Sequence, residues 1–522
     1  MIPADDARAA RVAALLVALV GIVHRVVLFL AYRDELRALI ADNRMWYTGQ
    51  NAPIALLHQD LGLTLLLLQA SPPLSSLLIG LLTHVVSWPV AGAEVLTGLQ
   101  GAITIATALL LHRLLRACFP GRLVLTTAVA IAFVLHTGVV VLEYNSFGQT
   151  IYENLAMLLT LGLAVLLLRV RRTGRARDAA WAGLVAGLLV LTRAVWSYVA
   201  LPGALFVALL VPRARSRAVL AFLLPLVVLQ GAWVAKNAWV FGRLSWVTSS
   251  WGGYNVTNGL DRLGYGDVFR QYLIARNDPP WLAEAMRHPA ASIEAMVPPE
   301  YPRRDQELAA RWGIGPWALN TTAAAALFDG FAHNFWHFAL DRPDVVLDKT
   351  WRSYRLFWEP MANYGVQYVA LFAPEATAAS ALDPAGVVRD LTTGVVPQQL
   401  GVTSGAFAFG RRLALRPASL GTPRWLDEPR LLATAIGVHL LAPLAALGWL
   451  VRRGRGPLPE PDATRAVVLL VCGTLIAYLA LASSLGEHGE NMRFRLGVEP
   501  LIWTVTLVGA AGAWRLVRPG PG

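Results

Sequence analysis

The chain has 522 residues, of which 56% are hydrophobic and only 15% charged, with a formal net charge of +12. So little charge on so long a chain excludes an ordinary soluble enzyme. The arginine excess does not form a nucleic-acid face either, because most arginines punctuate the ends of apolar runs. The pattern is that of a multi-pass membrane protein. Its two cysteines, Cys118 and Cys472, lie outside the long polar stretch described below, so that stretch holds no internal disulfide.

The first apolar run, Ala9 to Tyr32, is too long for a signal peptide's apolar region and lacks a small-x-small cleavage pattern. It reads as a retained first helix over 10–32. The acidic stretch RDELRALIADNRMWYTGQN follows, and then SPPLSSLLIGLL, which from Pro72 to Trp88 is apolar but short and reads as a partly buried or re-entrant helix. Further helices are expected near 92–112, 123–142, 154–169, 179–195, 197–212, 217–237, 430–451, 465–484 and 496–516, about ten crossings in all. Arginine-rich loops lie around Arg113–Arg122, Arg169–Arg177, Arg213–Arg217 and Arg452–Arg455, with Arg515 and Arg518 further on. Placing all of these in the cytoplasm fixes the topology. The expected fold is an all-α polytopic membrane protein in three parts. Residues 1–237 form a transmembrane module with an acidic first external loop (33–91), residues 238–429 an external, periplasmic domain, and residues 430–522 the C-terminal transmembrane helices. Abundant arginine, alanine, glycine and proline suggest a GC-rich bacterial genome, hence a bacterial inner membrane.

Residues 143–153 and 485–495 also fall on the external side, and both carry ionisable groups next to the membrane. Such groups are functional candidates by default. The first external loop holds Asp34, Glu35 and Asp42; LEYNSFGQTIYENLAM holds Glu143 and Glu153; ENMRFRLGVEPLIW holds Arg493 and Arg495. Bland readings stand beside each. Asp42 could cap a helix, Glu153 could serve a helix dipole, and the two arginines could snorkel or pair with Glu487 and Glu490. Taken together, an arginine fork suits phosphate and a carboxylate can deprotonate an attacking hydroxyl. The combination suits attack on a sugar whose leaving group is a lipid phosphate.

Several segments resemble, in chain order, motifs of integral-membrane glycosyltransferases of the GT-C class, near the dolichyl-phosphate-mannose and aminoarabinose transferases. They are SPPLSSLLIGLL, GLVAGLLVLTRAVW, VAKNAWVFGRL, SSWGGYNVTNGLD and ENMRFRLGVEPLIW. The chain departs from those motifs at Ala194 and Gly497, where proline is usual, and at Lys236, where arginine is usual. The resemblance implies a polyprenyl-phosphate-linked sugar donor and inverting transfer to an acceptor hydroxyl of a cell-envelope glycan, lipid or protein on the external face. It places the catalytic acids at Asp42 and Glu153, with Asp34, Glu35 and Glu143 as runners-up. It puts the donor phosphate at Arg493 and Arg495, and substrate contacts at Arg193, Lys236, Asn237, Tyr254 and Asn255. No cofactor is required by the sequence, and a divalent cation, Mg or Mn, is the one candidate.

Weaker signals have plainer readings. His333 and His337 have metal-ligand spacing without a third ligand, and read better as part of an interfacial amphipathic helix. His24 and Arg25 inside the first helix read as bundle-facing or snorkelling. The sequons at Asn255 and Asn320 read as chance. Two other functions remain open: a lipid-linked sugar flippase, and an inactive scaffold of the same fold. A flippase would more often show an inverted repeat, and none is evident.

Overall fold

The computed structural model describes residues 4–41, 52–87, 90–136, 139, 143, 151–211, 215–288, 292–317, 319–358, 439, 441–452, 460–488 and 491–517. Within these it describes all side chains but those of 4–6, 31–41, 90, 93, 442, 449–452, 460, 492–493 and 512–517. Among the described residues all regular structure is helical and no strand occurs.

In chain order the helices are α1 (Ala4–Ala41), α2 (Ile54–Gln59), α3 (Leu61–Leu67), α4 (Pro73–Thr83), α5 (Val90–Cys118), α6 (Leu123–Val134), α7 (Ile151–Thr173), α8 (Ala176–Thr192), α9 (Ala200–Leu210) and α10 (Arg215–Phe241). A second set follows: α11 (Gly252–Arg262), α12 (Gly266–Arg276), α13 (Pro280–Arg287), α14 (Ile293–Met296), α15 (Glu300–Trp312), α16 (Thr322–Asp341) and α17 (Pro343–Phe357). The last set is α18 (Ala442–Arg452), α19 (Glu460–Gly486), α20 (Asn491–Arg495) and α21 (Glu499–Val517).

Among the described residues five helices are long and apolar enough to cross a membrane: Ala7–Leu30, Glu94–Cys118, Ile151–Thr173, Arg215–Phe241 and Pro461–Gly486. Their outward faces are apolar, as a lipid solvent requires. On α1, Leu15 is 70% and Leu30 68% exposed, an arrangement that water would penalise. Other expected crossings are occupied by shorter apolar helices, α6 and α9 among them. The first helix runs on to Ala41, past its expected end at 32. RDELRALIA is rich in good helix formers and holds no Gly or Pro, so nothing in it stops the helix.

Glycines set the closest crossing. On α8, Gly183 and Gly187 lie four residues apart and face α10. An added Cβ at Gly183 would lie 1.8 Å from the Phe222 carbonyl oxygen, and one at Gly187 would lie 2.8 Å from a Leu229 methyl. Small residues at this spacing let two membrane helices meet at the backbone. Polar side chains add cross-links inside the bundle: Asn154 donates to Gln100 (2.9 Å), and Tyr478 donates to the Val195 carbonyl (2.6 Å).

The bundle has two chemically distinct ends. Near one, Arg465 donates to the Cys118 carbonyl, Arg172 to Thr464, and Arg169 pairs with Asp178. The arginine-rich turns after α5 and α7 therefore meet the start of α19. Helices α11–α17 form a layer with its own core, in which Phe328, Phe335 and Phe338 of α16 are fully or almost fully buried with Leu260 and Phe269. Asp305 of α15 holds the start of this long helix, accepting from the Thr322 backbone N–H (2.8 Å) and hydroxyl (2.5 Å). Burial nevertheless pushes the Asp305 carboxyl above its ordinary range.

Candidate functional site

At the end of the bundle opposite those arginine-rich turns lie three buried arginine–glutamate pairs, two of which share one neighbourhood. Each joins residues that sequence spacing alone would not link, except the last.

Arg25 lies midway along α1. Its guanidinium donates to both carboxylate oxygens of Glu143 (3.0 and 2.7 Å) and to the Val134 carbonyl at the end of α6. Glu143 is 1% exposed. The arginine that looked merely bundle-facing is thus the partner of one candidate acid.

Glu153, on the first turn of α7, pairs with Arg193, the extended residue that ends α8. Both are buried. Ala194, which follows, opens a short 3-10 turn to Trp196. The Phe494 ring covers the Arg193 guanidinium at 3.7 Å, and Tyr152 lies at 5.3 Å. An apolar, cation-binding cover of this kind strengthens the pair by excluding water.

Arg495, one residue beyond Phe494, forks onto Glu499 (2.7 and 3.3 Å) and donates its remaining nitrogen to the Trp358 carbonyl (3.0 Å). Trp503 also donates to Glu499 (2.9 Å). The His136 ring meets Trp503 edge-on at 5.6 Å, and His439 lies 4.9 Å from Trp358. A carboxylate that meets Arg495 is therefore Glu499, four residues further on. Its signal was present in RLGVE, an arginine and a glutamate four residues apart on one helical face. Gly497 occupies the 3-10 turn between α20 and α21, where an added Cβ would meet only ordinary contacts with Leu479 and Ala156.

The remaining sequence candidates lie elsewhere or outside the described residues. Asp42 lies outside them. Asp34 and Glu35 fall within α1, and Arg493 within α20, but their side chains are not among those described. Lys236 reaches the Leu68 carbonyl, with the Trp233 ring 3.6 Å from its ammonium. This places it at a seam where Asn320 binds the Gln69 and Ala70 N–H groups (2.8 Å each) and the Leu67 carbonyl (2.7 Å). Asn320 is fully buried, which gives it a structural part that the sequon reading missed. Asn237 is also fully buried, and neither side-chain polar atom finds a hydrogen-bond partner among the described residues. Tyr254 and Asn255 sit on α11, and the Tyr254 ring meets Trp251 at a tilt (4.5 Å) and Phe328 edge-on (5.4 Å). The GGYN motif earns its glycine by packing, since a Cβ at Gly253 would lie 1.8 Å from the Phe328 carbonyl oxygen.

The structure thus joins Glu153, Arg193 and Arg495 in one neighbourhood and puts Lys236 and Asn237 in a second. Among the described residues no group of three His, Cys, Asp or Glu side chains could hold a metal ion. His333 and His337 face each other at 5.0 Å, with Asp278 3.5 Å from His333. The chain matches no protein-family model, no curated protein and no solved structure.

Proposed function

We propose that the chain is a membrane-embedded glycosyltransferase that moves a sugar from a polyprenyl-phosphate donor to an acceptor hydroxyl, with inversion, on the external face of a bacterial inner membrane. The observation that carries this reading is the buried charge cluster of Arg193–Glu153 and Arg495–Glu499. Ionised groups at membrane depth are expensive and persist where function uses them. The opposite sequence features, arginine-rich turns at the other end of the bundle, support an external site through the positive-inside rule.

The geometry refines the division of labour. Glu153 already faces a guanidinium, so it suits electrostatic support better than proton abstraction. The base is then Asp42, with Asp34 and Glu35, both within α1, behind it. Arg495 holds Glu499. A donor phosphate would compete for that fork or meet Arg493, and the leaving phosphate needs charge stabilisation rather than a proton. A divalent cation could share that role. Lys236, Asn237, Tyr254 and Asn255 lie on the helix layer side and suit contacts to the transferred sugar or the acceptor.

The test is sugar transfer from a panel of polyprenyl-phosphate sugars in membranes carrying wild type or Asp42→Asn. Release of polyprenyl phosphate by wild type alone supports the enzyme and its base. Activity in both moves the base to Asp34 or Glu35. A second reading rests on Glu143 and Glu153 both being paired with arginine, as in a scaffold or flippase that needs no free acid. Lipid-sugar movement without transfer favours the flippase, and neither activity across the panel favours the scaffold.

A further inference from the structure

Lys349 is the least expected charge in the helix layer. It sits on α17, is 0% exposed, and its ammonium donates to three backbone carbonyls, those of Ser484 (3.0 Å), Leu485 (2.7 Å) and Glu487 (3.3 Å). These carbonyls belong to the end of α19, where the last groups of a helix have no partner within it. An ammonium offers three donors and no acceptor, so donors and carbonyls match one to one. The stem reaches them because residue 259 on α11 is glycine. A Cβ there would lie 2.9 Å from the Lys349 Cε and 3.3 Å from the His488 nitrogen.

Other ties surround the same turn. The Ser353 hydroxyl, one helical turn along α17, lies 2.9 Å from His488 Nδ1. Arg262 donates to the His488 carbonyl (3.1 Å). From within the turn, Asn491 donates to the Ser483 carbonyl (3.2 Å) and the Glu487 carbonyl (3.4 Å). Beyond it, Arg495 donates to the Trp358 carbonyl at the end of α17. Helix α17 is therefore fastened to both sides of the reversal from α19 to α20, at Lys349, Ser353 and Trp358.

We infer that Lys349 is a positioning residue: it clamps the end of α19 to α17 and so sets where Phe494 covers Arg193 and where Arg495 meets Glu499. Its bearing on catalysis rests on the site proposed above, whereas the clamp does not. Through it the helix layer and the charge cluster become one mechanical unit, so an acceptor bound against α17 would act on the arginine segment.

The test is amide hydrogen exchange on the full chain in nanodiscs, comparing wild type with Lys349→Met, which keeps the stem and removes the ammonium. The expected result is at least tenfold faster exchange over residues 483–495, with α8 and α10 unchanged and the global melting temperature nearly so. A merely space-filling lysine would instead leave the turn protected, or loosen the whole fold. Ser353→Ala serves if Lys349→Met does not fold, with faster exchange expected over 487–491 alone. Wild-type exchange rates in a folded variant would overturn the clamp, whether or not any sugar transfer is ever found.

Discussion

A buried guanidinium facing a buried carboxylate is more costly to halve than to remove. Glu153→Gln leaves Arg193 charged beneath Phe494 with a weaker partner in place of the carboxylate, and Glu153→Leu removes that carboxylate altogether. The expected loss for Glu153→Leu is about 3–5 kcal/mol, measured by thermal unfolding in detergent. The double variant Glu153→Leu with Arg193→Met should recover much of that loss. If the double variant is as unstable as the single, the pair is not the source of the cost. At the turn after α19, His488 behaves differently. Burial, and then the charges of Lys349, Arg262 and Arg352, push its pKa down to about 4 from an ordinary 6.5. Between those values the unfolded chain binds more protons than the folded one, so stability rises with pH. Its contribution is fully present above about 6.5 and is lost as pH falls toward 4. His488→Gln should flatten the stability profile across that window, and an unchanged slope would reassign the effect to another group. At this scale the sequence was only partly legible. It pointed to Glu153 and Arg495 through their place at the ends of apolar runs, and to Arg193 through the resemblance of GLVAGLLVLTRAVW to a family motif. It could not show that Arg25 meets Glu143, because a contact across 118 residues leaves no periodic trace.

Helices were the most legible element, since an apolar run long enough to cross a membrane has few alternatives. The end of α1 lies beyond its apolar run, because RDELRALIA lacks any helix breaker. The seam helices α2–α4 and the layer α11–α17 were less legible because their short amphipathic pieces derive stability from tertiary packing rather than from their own pattern. Glycine is the exception that sequence could show only as a motif and structure shows as distance. At Gly253 an added methyl would meet the Phe328 carbonyl of α16, and at Gly183 the Phe222 carbonyl of α10. Neither obstacle is a flexible side-chain end, so helix must move from helix. Gly253→Ala and Gly183→Ala should each cost about 3 kcal/mol or more, at or above the upper end of overpacking penalties. Gly98→Ala, where nothing lies within 4 Å of the added atom, is the control. Equal melting temperatures for all three would show that the crossings are looser than these distances imply.

For the molecule as a whole, the separation of arginine-rich turns from paired acids makes topology directly testable. Cys118 and Cys472 are both buried, so the natural thiols give a low background to an impermeant reagent. Cysteine at Arg175, an exposed site in the turn between α7 and α8, should resist labelling in intact cells. Cysteine at Asp267, whose side chain is 82% exposed on α12, should label. The reverse pattern would turn the protein over in the membrane and put the charge cluster on the cytoplasmic side. The close glycine crossing of α8 and α10 carries a last consequence. Arg193 ends one of these helices and Lys236 lies near the end of the other. Backbones in such direct contact cannot slide without collision, so the two cations form the tips of a single stiff fork. Whatever draws one toward a ligand must carry the other with it, and the chain can change the spacing between its two polar neighbourhoods only by bending the loops that the fork supports.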